Sequence, residues 1–251
     1  MKHTISLSAL STLPPKDASK RGASIETIQL IEKLISIQDK LYAQKKYSVL
    51  IVLQGMDTSG KDGAVKHVFS GVNPAGCNVK SFKVPTPEET AHHFLWRVSK
   101  ECPAKGMIQI FNRSHYEEII MPQIGKVLST SMLKKRCEEI NMFERGLIDD
   151  HTILLKFYLH ISHAEQLRRL QARRTDSKKR WKFEKEDVID IAKQAPYRHA
   201  YEFIFKHCHE LPWQIVPADK KWYKNFSILS TIVNELEKYD IDYPKIKIGR
   251  K

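Results

Sequence analysis

Cysteine is scarce in this 251-residue chain, and its four copies, Cys77, Cys102, Cys137 and Cys208, lack the Cys-x-x-Cys spacing of a zinc site and the dense pattern of a disulfide framework. Reduced thiols in a cytosol are the expectation. Long apolar runs are missing too. The longest, such as 49–53, are far too short to cross a bilayer, and Lys16, Lys20 and Arg21 interrupt the N-terminus, so a soluble cytoplasmic protein without a membrane span or cleaved signal is expected. Acids are few beside bases, 29 Asp+Glu against 42 Lys+Arg, for a formal charge of +13. That excess suits a polyanion, whether nucleic acid, acidic lipid or a phosphate polymer, and alone does not choose among them. Internal repeats and low-complexity tracts are absent. A composition of 41% hydrophobic residues can bury a full core, and the length suggests one domain with room for an insertion.

What is present begins with Val49-Leu-Ile-Val-Leu-Gln-Gly55-Met-Asp57-Thr58-Ser59-Gly60-Lys61-Asp62-Gly63, an apolar strand that runs into a glycine-spaced loop and a lysine opening a helix. Such a segment reads as a phosphate cradle: Gly55 and Gly60 permit a tight turn, successive N–H groups converge on an anion at a helix N-terminus, and Lys61 adds a full charge. The bland alternative is a glycine turn with a solvated lysine. Strict G-x-x-x-x-G-K-[ST] fails at Asp62, where the hydroxyl that reaches Mg2+ should stand, and Asp57 inside the loop offers a carboxylate instead.

Residues 1–23 read as an extended arm. Ser24 is the expected cap of a helix through about Ala43, with Ile28, Ile31, Leu34, Ile35 and Leu41 at helical spacing. Strands are expected at 48–54, 77–83, 107–112, 152–159 and 213–217, alternating with helical segments, the pattern of a parallel sheet covered on both faces. Thr86-Pro-Glu-Glu89 and Ser162-His-Ala-Glu165 read as capping boxes. Beyond the second, eight basic residues, Arg168, Arg169, Arg173, Arg174, Lys178, Lys179, Arg180 and Lys182, face one acid, Asp176. A solvated helix face is one reading of that run; a mobile lid that closes on phosphate is the other.

The strand at 107–112 ends in Phe111-Asn112-Arg113-Ser114-His115-Tyr116-Glu117, at the sheet's carboxyl edge and beside the loop if the strands are neighbours. Where an acid usually serves Mg2+ stands Asn112, a neutral oxygen ligand, and Arg113 follows with a fork suited to phosphate. Capping of the next helix is the structural alternative for both.

Together these segments, with Leu95-Trp96-Arg97, Phe143-Glu144, Lys156 to Gln166, Arg180-Trp181-Lys182, Pro212-Trp213 and Ala218-Asp219-Lys220, resemble the family-2 polyphosphate kinases over about residues 25–240. The resemblance implies an α/β P-loop kinase fold of the thymidylate-kinase-like kind, three layers α/β/α on a five-stranded parallel sheet with an α-helical lid. On that reading the kinase domain spans 24–240, the lid is inserted at about 168–190, and 241–251 is a tail. The implied catalytic residues are Asp57, Lys61 and Arg113. Gly55, Thr58, Ser59, Gly60, Asp62 and Gly63 complete the phosphate loop, and Lys66, Arg168, Arg173, Arg174, Lys178 and Lys182 bind the polymer. Asp57 and Asn112 hold the metal, Mg2+ or Mn2+ in its place.

The implied reaction is reversible phosphoryl transfer from inorganic polyphosphate to AMP and ADP, giving ADP and ATP, with guanine nucleotides as further candidates. A homo-oligomer, dimer or tetramer, is expected, and neither a membrane nor a specific nucleic acid as partner. Asn112 looks like the subgroup that accepts both AMP and ADP. Asp176-Ser177, where many members have Asp-Pro, and Gln194-Ala-Pro196-Tyr197, in place of a tryptophan-containing stretch, depart from the pattern in the region of the lid. The rivals are an ATP-dependent small-molecule kinase, which has no need of so basic a lid, and a nucleic-acid binder, for which no recognition helix or stacking surface is visible.

Overall fold

The computed structural model describes residues 5–178, 180–182 and 194–245. Five parallel strands, β1 (Ser48–Gln54), β2 (Cys77–Ser81), β3 (Ile108–Asn112), β4 (Thr152–His160) and β5 (Trp213–Pro217), form one sheet in the order β2-β3-β1-β4-β5. All five lie where the hydrophobic runs place them. The difference is β2, which ends at Ser81, two residues short of the expected 83, and is largely exposed because it is an edge strand with a single neighbour.

β1 is buried at all seven positions, and its side chains divide by parity. Val49, Ile51 and Leu53 face a layer made by α1 (Lys20–Gln44), α2 (Lys61–Val68) and α9 (Lys221–Leu236). Leu50 and Val52 face a second layer, built from α5 (Glu117–Ile124), α6 (Thr130–Asp149) and α8 (Gln194–His207). Period-2 alternation with both faces apolar is what a central parallel strand requires. Short helices α3 (Pro87–Ala91) and α4 (Trp96–Ser99) connect β2 to β3, and α7 (His163–Thr175) follows β4.

Three local expectations need correction. Ser19, not Ser24, caps α1: its hydroxyl accepts from the Gly22 N–H at 3.3 Å, while Ser24 sits inside the helix and donates to the Lys20 carbonyl at 2.8 Å. Position 23/24 is therefore mid-helix. The capping box at Thr86 is complete, both bonds being present. At Ser162 only half of one forms. The Ser162 hydroxyl accepts from Glu165 N–H at 3.2 Å, but the Ser162 N–H donates to Asp219 and the Glu165 carboxylate turns to Arg168 and Arg169. Of the expected extended arm, residues 20–23 already belong to α1, and the part before it lies against the domain, with Leu7 buried and Thr12 exchanging bonds with Asp219.

One charged cluster lies wholly inside the second layer. Lys156 of β4 bonds Glu144 of α6 at 2.7 Å, and the same carboxylate accepts from Tyr116 at 2.5 Å and meets His115 at 3.2 Å, with all four residues buried. Burial opposes ionisation of Glu144, yet Lys156 and His115 outweigh it and hold the carboxyl below its ordinary range. Lys156→Met would leave that charge uncompensated. Such a change is expected to lower the unfolding free energy by about 3–5 kcal/mol, read from urea denaturation.

Candidate active site

Parallel register sets the site. Leu53 of β1 lies opposite Asn112 of β3, and the Arg113 N–H donates to the Leu53 carbonyl at 3.1 Å, so the loops leaving both strands emerge side by side at the carboxyl edge. The chain crosses to one side of β1 for β2 and β3 and to the other for β4 and β5, which makes this edge the switch point where α/β sheets bind ligands.

The turn from β1 into α2 uses backbone conformations that most residues avoid. Gly55 has φ 148°, Thr58 φ 62° and Gly60 φ 94°. A Cβ at Gly55 would stand 2.9 Å from both the Leu159 carbonyl oxygen and Ser59 Oγ. Arg113 is also left-handed, at φ 61°, so two of the five non-glycine residues with positive φ among those described belong to this site.

Every carbonyl from residue 55 to residue 60 is taken by a side-chain donor. Lys61 Nζ bonds the Gly55 oxygen at 2.6 Å and the Met56 oxygen at 3.3 Å. Gln166 donates to Asp57 O at 2.9 Å, Arg169 to Thr58 O and Ser59 O at 3.0 Å each, and Lys224 to Gly60 O at 2.5 Å. On the N–H side, Gly55 donates to the Tyr201 hydroxyl at 3.2 Å.

The three expected catalytic residues come together here. Arg113 bonds Asp57 at 2.8 Å, joining the β3 loop to the phosphate loop, and Lys61 is buried at the N-terminus of α2. Burial lowers the Lys61 pKa, with Asp57 pulling the other way. Burial likewise raises that of Glu117, against Arg113 and Lys61. The two departures from the usual phosphate-loop pattern turn out to face one another. Asn112 Nδ2 donates to Asp62 Oδ1 at 2.8 Å, so the carboxylate that replaces the loop hydroxyl meets the amide that replaces the strand-end acid. An aspartate at 112 would set two like charges there.

The remaining candidates separate. Thr58 and Ser59 are buried in the loop, each hydroxyl without a hydrogen-bond partner; Gly63 lies in the first turn of α2, and Lys66 is exposed on its last turn. Arg168 is exposed and bonded twice to Glu165, whose carboxyl is drawn down to about 2 chiefly by that contact. Arg173 and Arg174 close the last turn of α7 and Lys178 is exposed beyond it, whereas Lys179, the side chain of Lys182 and residues 183–190 of the expected lid lie outside the described residues.

Asp57, Asn112 and Asp62 with the unpartnered Thr58 and Ser59 hydroxyls make a set of hard oxygen donors suited to a small divalent cation. Among the described residues no three His, Cys, Asp or Glu side chains converge as a full cage.

Sequence reading missed Gln166, Arg169, Lys224 and Tyr201 as loop contacts. Arg169 was hidden inside a run of solvent-facing bases, and Lys224 lies 164 residues from the carbonyl it holds, with no local pattern to mark it.

A phosphate loop at the switch point, with a cationic strand-end partner, defines a P-loop phosphotransferase site. Residues 17–244 match the model of the polyphosphate kinase 2 family, and this chain belongs to that family. It is 40% identical to the AMP/ADP-polyphosphate phosphotransferase of Meiothermus ruber over 94% of this chain and 91% of that protein. Identity to the ADP-polyphosphate phosphotransferase of Rhodopseudomonas palustris is 35%, over 88% and 81%. The crystal structure of polyphosphate kinase 2 from Arthrobacter aurescens TC1 superposes with a TM-score of 0.94 at 33% identity, covering 98% of this chain and 90% of that one.

Gly55→Ala tests the loop geometry. Strain at φ 148° and the contact with Leu159 are expected to cost about 1–3 kcal/mol in unfolding free energy and to abolish phosphate binding, checked by denaturation and by calorimetric titration with pyrophosphate.

Proposed function

We propose that this chain transfers phosphoryl groups reversibly between inorganic polyphosphate and the nucleotides AMP and ADP. The observation that carries the reading is the convergence of Asp57, Lys61 and Arg113 on one phosphate loop, in a chain 40% identical to an AMP/ADP-polyphosphate phosphotransferase over 94% of its length.

Transfer between phosphates needs positioning and neutralisation more than covalent help, because the transition state spreads charge over three equatorial oxygens. An oxygen of the AMP or ADP phosphate attacks the terminal phosphorus of the polymer, and the P–O bond of that anhydride breaks as the new one forms. The acceptor is already anionic at neutral pH, so no strong general base is called for. Mg2+, for which Mn2+ is a plausible substitute, would supply charge neutralisation across the anhydride when held by Asp57 and Asn112. Loop N–H groups and Lys61 grip the transferred group, while Arg113, held in place by Asp57, covers its equatorial oxygens. Since one anhydride replaces another, the direction follows concentrations.

Incubation with Mg2+, long-chain polyphosphate and AMP, ADP, GMP or GDP in turn, with identification of the products, tests the reading. Turnover with ATP and a small acceptor but none with polyphosphate would overturn it.

Asp57→Asn is expected to lower turnover by roughly 10³-fold with the fold intact by circular dichroism, because one carboxylate both orients Arg113 and serves the metal. Lys61→Ala and Arg113→Ala should each reduce kcat by about 10²-fold or more, the scale of a lost transition-state cation.

The basic run beyond Leu170 is assigned to the polymer. Each exposed contact contributes about 1 kcal/mol or less, so recognition comes from their number. Replacing Arg173, Arg174, Lys178 and Lys182 together by glutamine is expected to raise the KM for long polyphosphate severalfold and that for AMP little. Wild-type KM for the polymer should climb steeply with salt. Equal losses for polymer and nucleotide would return the run to a solvated face.

A further inference from the structure

Lys224 is a buried ammonium with no ion-pair partner among the described residues, and it sits next to another cation. It is 2% exposed, and a Cβ placed on Gly60 would be 3.0 Å from Lys224 Nζ and 3.3 Å from Arg169 Nη1. Taking an ammonium out of water beside a guanidinium is costly, and a protein keeps such an arrangement where something negative shares the field. Arg169 has its own carboxylate in Glu165 at 2.7 Å; among the described residues Lys224 bonds the Gly60 carbonyl alone.

What the two cations touch shows their use. Arg169 holds Thr58 O and Ser59 O on one side, and Ala218 O and Asp219 O at 2.6 and 3.2 Å on the other, so it rivets the loop to the end of β5. Lys224 reaches from the first turn of α9 to Gly60 O, and Gln166 from α7 to Asp57 O. A trans peptide is planar, with its C=O and the following N–H pointing in opposite directions. Holding the carbonyls of residues 57, 59 and 60 therefore turns the N–H groups of Thr58, Gly60 and Lys61 away from them, while the Ser59 N–H is used within the turn, donating to Met56 O at 3.1 Å.

We propose that Arg169 and Lys224, aided by Gln166, are positioning residues for phosphoryl transfer: they hold the carbonyls of residues 57–60 at the back of the phosphate loop and thereby fix the N–H groups of residues 58, 60 and 61 on the substrate's phosphates, while the Ser59 N–H closes the turn on the Met56 carbonyl at 3.1 Å. The assignment rests on the phosphotransfer reading of the loop. Neither cation touches the substrate; their positive charge acts through the peptide dipoles, which polarise toward the anion on the far side.

The charge of Lys224 offers a readout that a purely structural contact lacks. Burial, then Arg169 and Lys221, lower its pKa to about 7, with Lys61 adding to the effect and Asp62 opposing it. Lys224 is thus charged below about pH 7 and neutral above, and an anion in the loop favours the charged form. Its help to anion binding is present on the acid side and declines as pH rises through 7.

Pyrophosphate serves as the probe, since it reports on the loop whichever phosphorylated substrate is used. Lys224→Met is expected to weaken pyrophosphate binding by about tenfold or more at pH 6.5 and to lower kcat for transfer from polyphosphate to AMP on a similar scale, the penalty of a misaligned cradle. It should also speed amide hydrogen exchange across 56–63. Lys224→Arg, which stays charged, should restore binding at pH 6.5. Pyrophosphate itself gains charge with pH in every variant, so the comparison is the ratio of affinities: arginine variant over wild type should rise severalfold between pH 6.5 and 8.5. Arg169→Met should add to the loss if it folds; Lys224→Met, which removes no loop-to-β5 contact, carries the test if it does not.

Pyrophosphate affinity and exchange rates in Lys224→Met that match wild type would overturn the brace. So would an arginine-to-wild-type ratio that stays flat with pH. Failure of the phosphotransfer reading looks different, for wild type would then bind pyrophosphate and show no turnover of polyphosphate.

Discussion

Backbone N–H groups can be gathered on one anion only where the carbonyls of the same peptides are satisfied elsewhere, since each buried polar group left unpaired costs on the order of 1–3 kcal/mol. At residues 55–60 that requirement is met by four side chains from three helices, Lys61 of α2, Gln166 and Arg169 of α7, and Lys224 of α9. The helices can reach because β1 is central, with α2 and α9 packed on one of its faces and β4 delivering α7 beside it. Sheet order, helix placement and loop chemistry are thus one constraint seen at three scales.

The second loop of the site is stabilised from the opposite layer. Arg113 occupies a left-handed conformation, and the next residues are buried: Ser114 bonds Gln54 at 3.1 Å, and His115 and Tyr116 meet Glu144 in the cluster around Lys156. A charged network in a core contributes little net stability, but loss of one partner leaves a buried charge uncompensated. Here it holds the strand end from which Arg113 reaches Asp57. The Asn112–Asp62 bond adds a second tie between the same two loops and joins the two departures from the usual pattern.

The basic stretch after β4 divides between two faces of one helix. Gln166 and Arg169 are buried and grip the loop, whereas Arg168, Arg174 and Lys178 lie exposed to solvent. One face of α7 belongs to the rigid site and the other is turned to solvent. Charge density alone could not separate them, because helical periodicity was masked by so many bases in succession.

Fold class, all five strands, and the loop residues Gly55 to Gly63 were legible from the chain, for a physical reason: strand burial on both faces and glycine spacing are local patterns. The juxtaposition of Asp57, Lys61 and Arg113 was legible for the same reason, since they lie in the loop after β1, at the start of α2 and just beyond the end of β3. Helix starts were less so, as Ser19 and Ser24 are both serines able to cap and the structure uses the earlier. The partners of the loop carbonyls were decided by tertiary structure alone. Arg169 and Lys224 meet Gly60 through contacts spanning more than a hundred residues, and their selection rests on burial and a shared electrostatic field, neither of which exists until the helices have packed.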